Sequence, residues 1–165
     1  MGVPKTRKID GDNPGAERLR TLGELTYLAF RVGVFDHATL PAVRLTLQPP
    51  VDLDQVVVFR DGERPVASIS WAFLSEEAEA KLLANQPLAP SEWCSGDRMW
   101  MMDTLSLLPP KMGFRAIRRF LDSIPPHITR CNGLRLGPNA SRERVIRMER
   151  QNGKWRLNNV KDIGS

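Results

Sequence analysis

Two strand-like stretches, Gln55–Arg60 and Pro65–Trp71, flank the tripeptide Asp61-Gly62-Glu63. No other feature narrows the fold as much. Together they are a hairpin signature, and glycine supplies the positive φ that a tight hairpin turn needs. The chain is therefore committed to a sheet, and the remaining segments must extend or cover it. Upstream, Leu19, Leu22, Leu25, Leu28 and Val32 recur at helical spacing between Asn13-Pro14 and Gly33. That spacing predicts a helix with one apolar stripe on the core. Leu40 to Leu47 reads as a second, short helix.

Downstream, Ser75-Glu76-Glu77 opens a helix to about Ala84, with carboxylates at the positive end of its dipole. Arg98–Leu107 reads as a central strand closed by Pro109-Pro110. Phe114, Ile117, Leu121 and Ile124 then give a helix stripe with Arg115, Arg118, Arg119 and Asp122 opposite. Leu134–Gly137 is a short strand, and Arg144–Arg150 with Lys154–Asn158 form a last hairpin at Asn152-Gly153. The order predicts an α/β (α+β layer) fold, a mixed sheet with flanking helices. Residues 1–12 read as a loose arm and 13–165 as one domain.

The chain has 165 residues, 41% hydrophobic and 26% charged, which places it in the globular class. No apolar run approaches the ~20 residues of a membrane span, and MGVPKTRKIDGDNPG lacks the apolar stretch of a signal peptide. Cys94 and Cys131 lie far apart and read as two free buried thiols, not a zinc or disulfide framework. The net charge of +5 suits nucleic acid, anionic lipid or an acidic protein. No finger spacing, RNA-binding aromatic motif or helix-turn-helix pattern accompanies it, so nucleic acid is not favoured.

Period-2 counting puts the Asp103 carboxylate on one strand face with Met99, Met101, Leu105 and Leu107. A charge there must be paired or neutralised. It is an ion pair with a buried arginine, a cap on backbone, or a carboxylate built into a site. His37, where the chain leaves the first helix, is a general base near neutral pH or a surface residue. Lys111 and Gly113 sit where Pro109–Gly113 meets the arginine-bearing helix, a place able to receive phosphate. No serine lies in a nucleophile elbow, and neither cysteine has a histidine near it in sequence, so nothing indicates a covalent acyl-enzyme.

The string Ser95-Gly96-Asp97-Arg98-Met99-Trp100-Met101-Met102-Asp103 resembles the SGDRxWxxD segment of the RTX toxin-activating lysine acyltransferases, the hemolysin- and cyclolysin-activating proteins. Pro65-Val66-Ala67 and Ser70-Trp71-Ala72 resemble that family's PVAYCSWA strand. His37 with Pro41 resembles its HxxWP motif, and Leu134-Arg135-Leu136 its IRV strand. The order holds from about Leu22 to Lys154. Departures are Met101-Met102 in place of an aromatic run, Thr104–Leu108 in place of WIAPF, and Leu40 before Pro41.

The resemblance implies a fold like the Gcn5-related N-acetyltransferases. It implies transfer of a fatty acyl group from acyl-carrier protein to internal lysines of an RTX-type protoxin, in the bacterial cytoplasm. It also implies a tendency to homodimerise. On it, His37 is the base, Asp103 orients the imidazole, and Arg135 is the family's strand arginine. Met99 and Met101 would line a fatty chain, and Lys111 and Gly113 would approach the pantetheine phosphate. Donor thioester apart, no bound cofactor and no metal is implied. Two rivals remain: an N-acyltransferase using acyl-coenzyme A, and a non-catalytic basic binding module. The acetyltransferase pyrophosphate loop Q/R-x-x-G-x-G/A is absent, which favours a carrier-protein donor over coenzyme A.

Overall fold

A computed structural model describes residues 14–136 and 142–162. The loose arm expected at 1–12 lies outside the described residues. Helix α1 (Ala16–Val32) and α2 (Leu40–Asp52) lead into the hairpin β1 (Val56–Asp61) and β2 (Arg64–Leu74). Then come α3 (Glu76–Leu83), a single 3₁₀ turn (Pro90–Trp93), β3 (Arg98–Ser106), α4 (Pro110–Ser123), β4 (Arg130–Leu136), β5 (Arg142–Gln151) and β6 (Lys154–Asp162). The six strands form one sheet in the order β1-β2-β3-β4-β5-β6. Every pair is antiparallel except β3·β4, which is parallel. A parallel pair needs a crossover, and α4 provides it. This is the mixed sheet with flanking helices that the sequence predicts, consistent with the acetyltransferase-like fold.

The helices divide between the two faces. Ile69, Met99 and Cys131 pack against Phe120, Leu121 and Ile124 of the α4 segment. On the other face, Ala72, Leu74 and Trp100 pack against Ala78 and Leu82 of α3, and Leu105 against Leu25, Leu28 and Leu47 of α1 and α2. Alternation along β2 assigns the faces, odd residues to α4 and even ones to α3. The stripe expected on α1 is narrower than its spacing suggests. Leu25 and Leu28 are buried, but Leu19 is 56% exposed and Val32 37%. Glu24 takes a place in the buried surface instead. It accepts from Arg60 Nε at 2.8 Å and Arg60 Nη2 at 2.6 Å, which clamps α1 to β1.

Helix α2 runs beyond the expected Leu47, through Pro49 and Pro50, to Asp52. Each proline removes one helical N–H and is normally excluded from a helix interior. Here Leu47, Pro49, Pro50 and Val51 are all buried, so tertiary packing outweighs propensity. At the other end of the chain, Arg150 donates to Ile124 O at 2.7 Å and Pro125 O at 3.0 Å. It satisfies carbonyls at the end of α4 while lying 4.7 Å over the Trp155 ring.

Candidate active site

The segment Ser95–Asp103, read as one motif, has two structural jobs. Ser95 Oγ accepts from Ser75 N at 2.9 Å and donates to Glu92 O at 2.8 Å. Gly96 lies so close to the end of β2 that a Cβ there would stand 2.6 Å from Ser75 N and 2.7 Å from the Leu74 carbonyl carbon. Arg98 pairs with Glu76 and Glu79 at 3.0 and 3.3 Å. Trp100, 1% exposed, donates from Nε1 to Glu79 at 2.8 Å. These four residues fasten the start of α3 to β3, and they are scaffold. Asp103 alone of the motif's charged residues reaches the cavity described next.

The register between β2 and β3 breaks at one point. Ser70 faces Asp103, but Trp71 faces Met101, so Met102 is an extra residue in β3. Such a bulge reverses the alternation beyond it. The expectation that Asp103 shares a face with Met99 and Met101 is therefore corrected. Met99 and Met101 pack on the α4 side, with Phe120 and Leu121. Asp103 lies on the opposite side, with Leu105. The Asp103 amide donates to Ser70 Oγ at 3.2 Å, which ties down the strand after the bulge.

Next to the bulge the sheet comes apart. Strands β3 and β4 pair only at Trp100/Asn132 and Met101/Gly133. Beside this point is a cavity of about 360 Å³, lined by Met102 and Asp103 of β3 and Leu134 of β4. Ala42, Leu45 and Thr46 of α2 supply another wall, and Leu82, Leu88 and Trp93 a third. Val34 and Phe35 complete it, from the turn that follows α1. The lining is apolar apart from Asp103, Thr46, Asn85 and Gln86. A pocket of this size and polarity suits a small apolar ligand with one or two oriented polar groups. Trp93 Nε1 is buried without a hydrogen-bond partner among the described residues.

His37 belongs to the same turn as Val34 and Phe35. Gly33 closes α1 with φ 73°, Ala38 N donates to Phe35 O at 2.9 Å, and the Phe35 ring packs against the α1–α2 cluster. The turn is thus fixed at the cavity, and His37 itself is exposed two residues further on. Arg135 stands in β4 opposite Arg144, and its side chain lies outside the described residues. Lys111 and Gly113 lie in the first turn of α4. Pro109 and Pro110 lack an N–H, and the amides of Met112 and Gly113 both donate to Pro109 O. That turn offers fewer free donors to a phosphate than most helix starts do.

The cysteines are free, as expected, but only Cys131 is fully buried; Cys94 is half-buried. Burial pushes the Cys131 thiol up to about 12. It is a protonated core residue and not a nucleophile. Among the described residues no group of three or more His, Cys, Asp or Glu side chains could hold a metal ion. No helix among them is long and apolar enough to cross a membrane.

Sequence reasoning missed Met102, Leu134 and the α2 and Leu82–Trp93 walls. Only the bulge brings them to Asp103, and alternation alone does not signal a bulge. Comparison with known proteins adds a separate line of support. The profile of the RTX toxin acyltransferase family (HlyC) matches residues 15–147. The leukotoxin-activating lysine-acyltransferase LktC of a Pasteurella haemolytica-like species is 32% identical over 83 residues, 50% of each chain. The protein-lysine palmitoyltransferase CyaC of Bordetella bronchiseptica is 30% identical over 100 residues, 59% of this chain and 54% of that one. The protein-lysine myristoyltransferase HlyC of Escherichia coli is 30% identical over 89 residues, 53% and 52%. The chain spans about half the length of the curated relatives it matches.

Proposed function

The chain belongs to the RTX toxin acyltransferase family, and we propose that it is a protein-lysine N-acyltransferase. It moves a fatty acyl group from acyl-carrier protein to internal lysine side chains of an RTX-type protoxin, in the bacterial cytoplasm. The observation that carries this reading is the place of Asp103. Its strand forms one wall of an apolar cavity, and the turn bearing His37 forms another.

A lysine ammonium cannot attack a thioester, so a base must take its proton. His37 is that base. Asp103 orients the imidazole and stabilises its charged form. The freed amine attacks the thioester carbonyl, and the oxyanion that forms needs N–H donors. The bulge at Met102 is the segment from which backbone amides would serve. Collapse breaks the C–S bond, forms the amide and returns a thiol to the pantetheine arm. Lys111 meets the donor phosphate, and Arg135 serves as the family's strand arginine. The buried, protonated Cys131 supports direct transfer over an acyl-cysteine route. Residues 13–165 act as one domain with a tendency to homodimerise, with no bound cofactor or metal.

The test is steady-state transfer to a lysine-bearing RTX protoxin fragment, with acyl-carrier-protein and acyl-coenzyme A donors compared. Asp103→Asn and His37→Gln should each lower kcat by roughly 10²- to 10⁴-fold. Equal rates with free acyl-coenzyme A would favour the coenzyme-dependent alternative. Salt-sensitive DNA binding without transfer would favour the basic binding module.

A further inference from the structure

We infer that the Asp103 cavity is the fatty-chain pocket of this chain, with Leu82, Leu88 and Trp93 forming the end wall that sets acyl length. The inference rests on the acyltransferase reading and adds the substrate determinant to it. Burial gives the cavity a direction. Leu82, Leu88 and Trp93 are 3%, 7% and 2% exposed, so their side chains form the buried floor of the cavity, while Asn85, Gln86 and Pro87 of the same wall lie at the surface. Val34 and Leu45 are 37% and 40% exposed, and Ala42 is exposed as well, so the other end opens to solvent. A linear chain entering past Ala42 would pass Met102, whose unbranched thioether fits irregular contours, and stop at Leu88 and Trp93.

A second apolar groove competes for this role. It has about 340 Å³, between α4 and the β5–β6 hairpin, and Met101, Phe114, Trp155 and Leu157 line it. It lies on the other face of the sheet from Asp103, beside Arg118, Lys154 and Arg156. Asp103 does not line it, so a chain held there would leave its thioester without that carboxylate. The bulge thus reassigns the lining from Met99 and Met101 to Met102.

The experiment measures binding before transfer. Decanoyl-, myristoyl- and palmitoyl-pantetheine are titrated calorimetrically into the full chain, and the same three groups are then offered as carrier-protein thioesters. Leu88→Ala, checked for folding by circular dichroism, deepens the pocket. It should move the preference toward palmitoyl over decanoyl by about tenfold. Ala42→Trp loses no core contact and narrows the mouth, and it should weaken palmitoyl binding by a similar factor. Ile117→Ala, in the opposite groove, should leave the ratio unchanged. An altered ratio in Ile117→Ala, with none in Leu88→Ala or Ala42→Trp, overturns the inference. Chain-dependent binding that follows the variants, with no transfer to lysine, leaves the pocket standing and overturns the acyltransferase reading instead.

Discussion

Replacing Gly96 by alanine should destabilise the protein although it removes no contact. The added Cβ would meet the Leu74 carbonyl oxygen, Ser75 N at 2.6 Å and the Leu74 carbonyl carbon at 2.7 Å. All three are backbone, at the junction where β2 becomes the N-cap of α3, so no flexible side chain can swing aside. Gly96 N also donates to Phe73 O at 3.1 Å, which holds the two segments together from the other side. Separating them disturbs the Ser75 cap on Ala78 N and the Ser95 bonds as well. Overpacking of this kind costs about 3 kcal/mol, which lowers Tm by roughly 6–12 °C in a chain of this size. Gly23→Ala is the internal control. Gly23 is exposed in the middle of α1 with nothing within 4 Å of the added carbon. There alanine should raise stability by about 0.5–1 kcal/mol. Thermal melts of both variants by circular dichroism give the answer. An unchanged Tm for Gly96→Ala would refute the view that the first half of the motif is scaffold.

Three further outcomes follow from the same geometry. The Arg60 hydrogen bonds, helped by Arg20, hold the Glu24 carboxyl below its ordinary value of 4.5 against the opposing effect of burial. A lowered carboxylate stabilises the fold above the unfolded value and loses that contribution as pH falls through the folded value. Denaturant unfolding should therefore show wild-type stability falling below about pH 4.5, with a shallower fall in Glu24→Gln. At neutral pH Glu24→Gln should cost about 2 kcal/mol, less than a fully buried pair, because Arg60 is 33% exposed. Iodoacetamide at pH 7.5 should label half-buried Cys94 and spare Cys131 until the chain is unfolded, as read by peptide mass spectrometry. Trp100→Phe keeps most of the packing and leaves Glu79 its Arg98 partner but removes the indole bond to it, and should lower Tm by a few degrees with little change in the chain-length ratio.

Much of the architecture is legible in the residues. The Asp61-Gly62-Glu63 hairpin, the Ser75 cap and the α4 stripe are local patterns with local causes, and each element forms where its pattern lies. Two features are not local. Nothing in Pro49-Pro50 announces a helix; burial against α1 keeps α2 going through them. The bulge at Met102 is set by register with β2 and by the parting of β3 from β4, which no window of ten residues contains. Counting alternation therefore puts Asp103 on the wrong face, and Met99 and Met101 with it. The motif marks the neighbourhood of the site correctly, yet most of its residues hold α3 and β3 together. Its one carboxylate at the cavity owes its position to the irregularity that sequence periodicity cannot show.

The most direct test of the central claim is the mass of an acceptor lysine. The full chain is incubated with myristoyl- or palmitoyl-acyl-carrier protein and an RTX protoxin fragment, and lysine-containing peptides are sequenced by tandem mass spectrometry. The account predicts a fatty amide on internal lysines, formed by the wild type and strongly reduced with His37→Gln and Asp103→Asn. Acylated lysine formed equally well by both variants would contradict the assigned base and its orienting carboxylate. No acylated lysine from the folded wild type with either donor would contradict the proposed reaction itself.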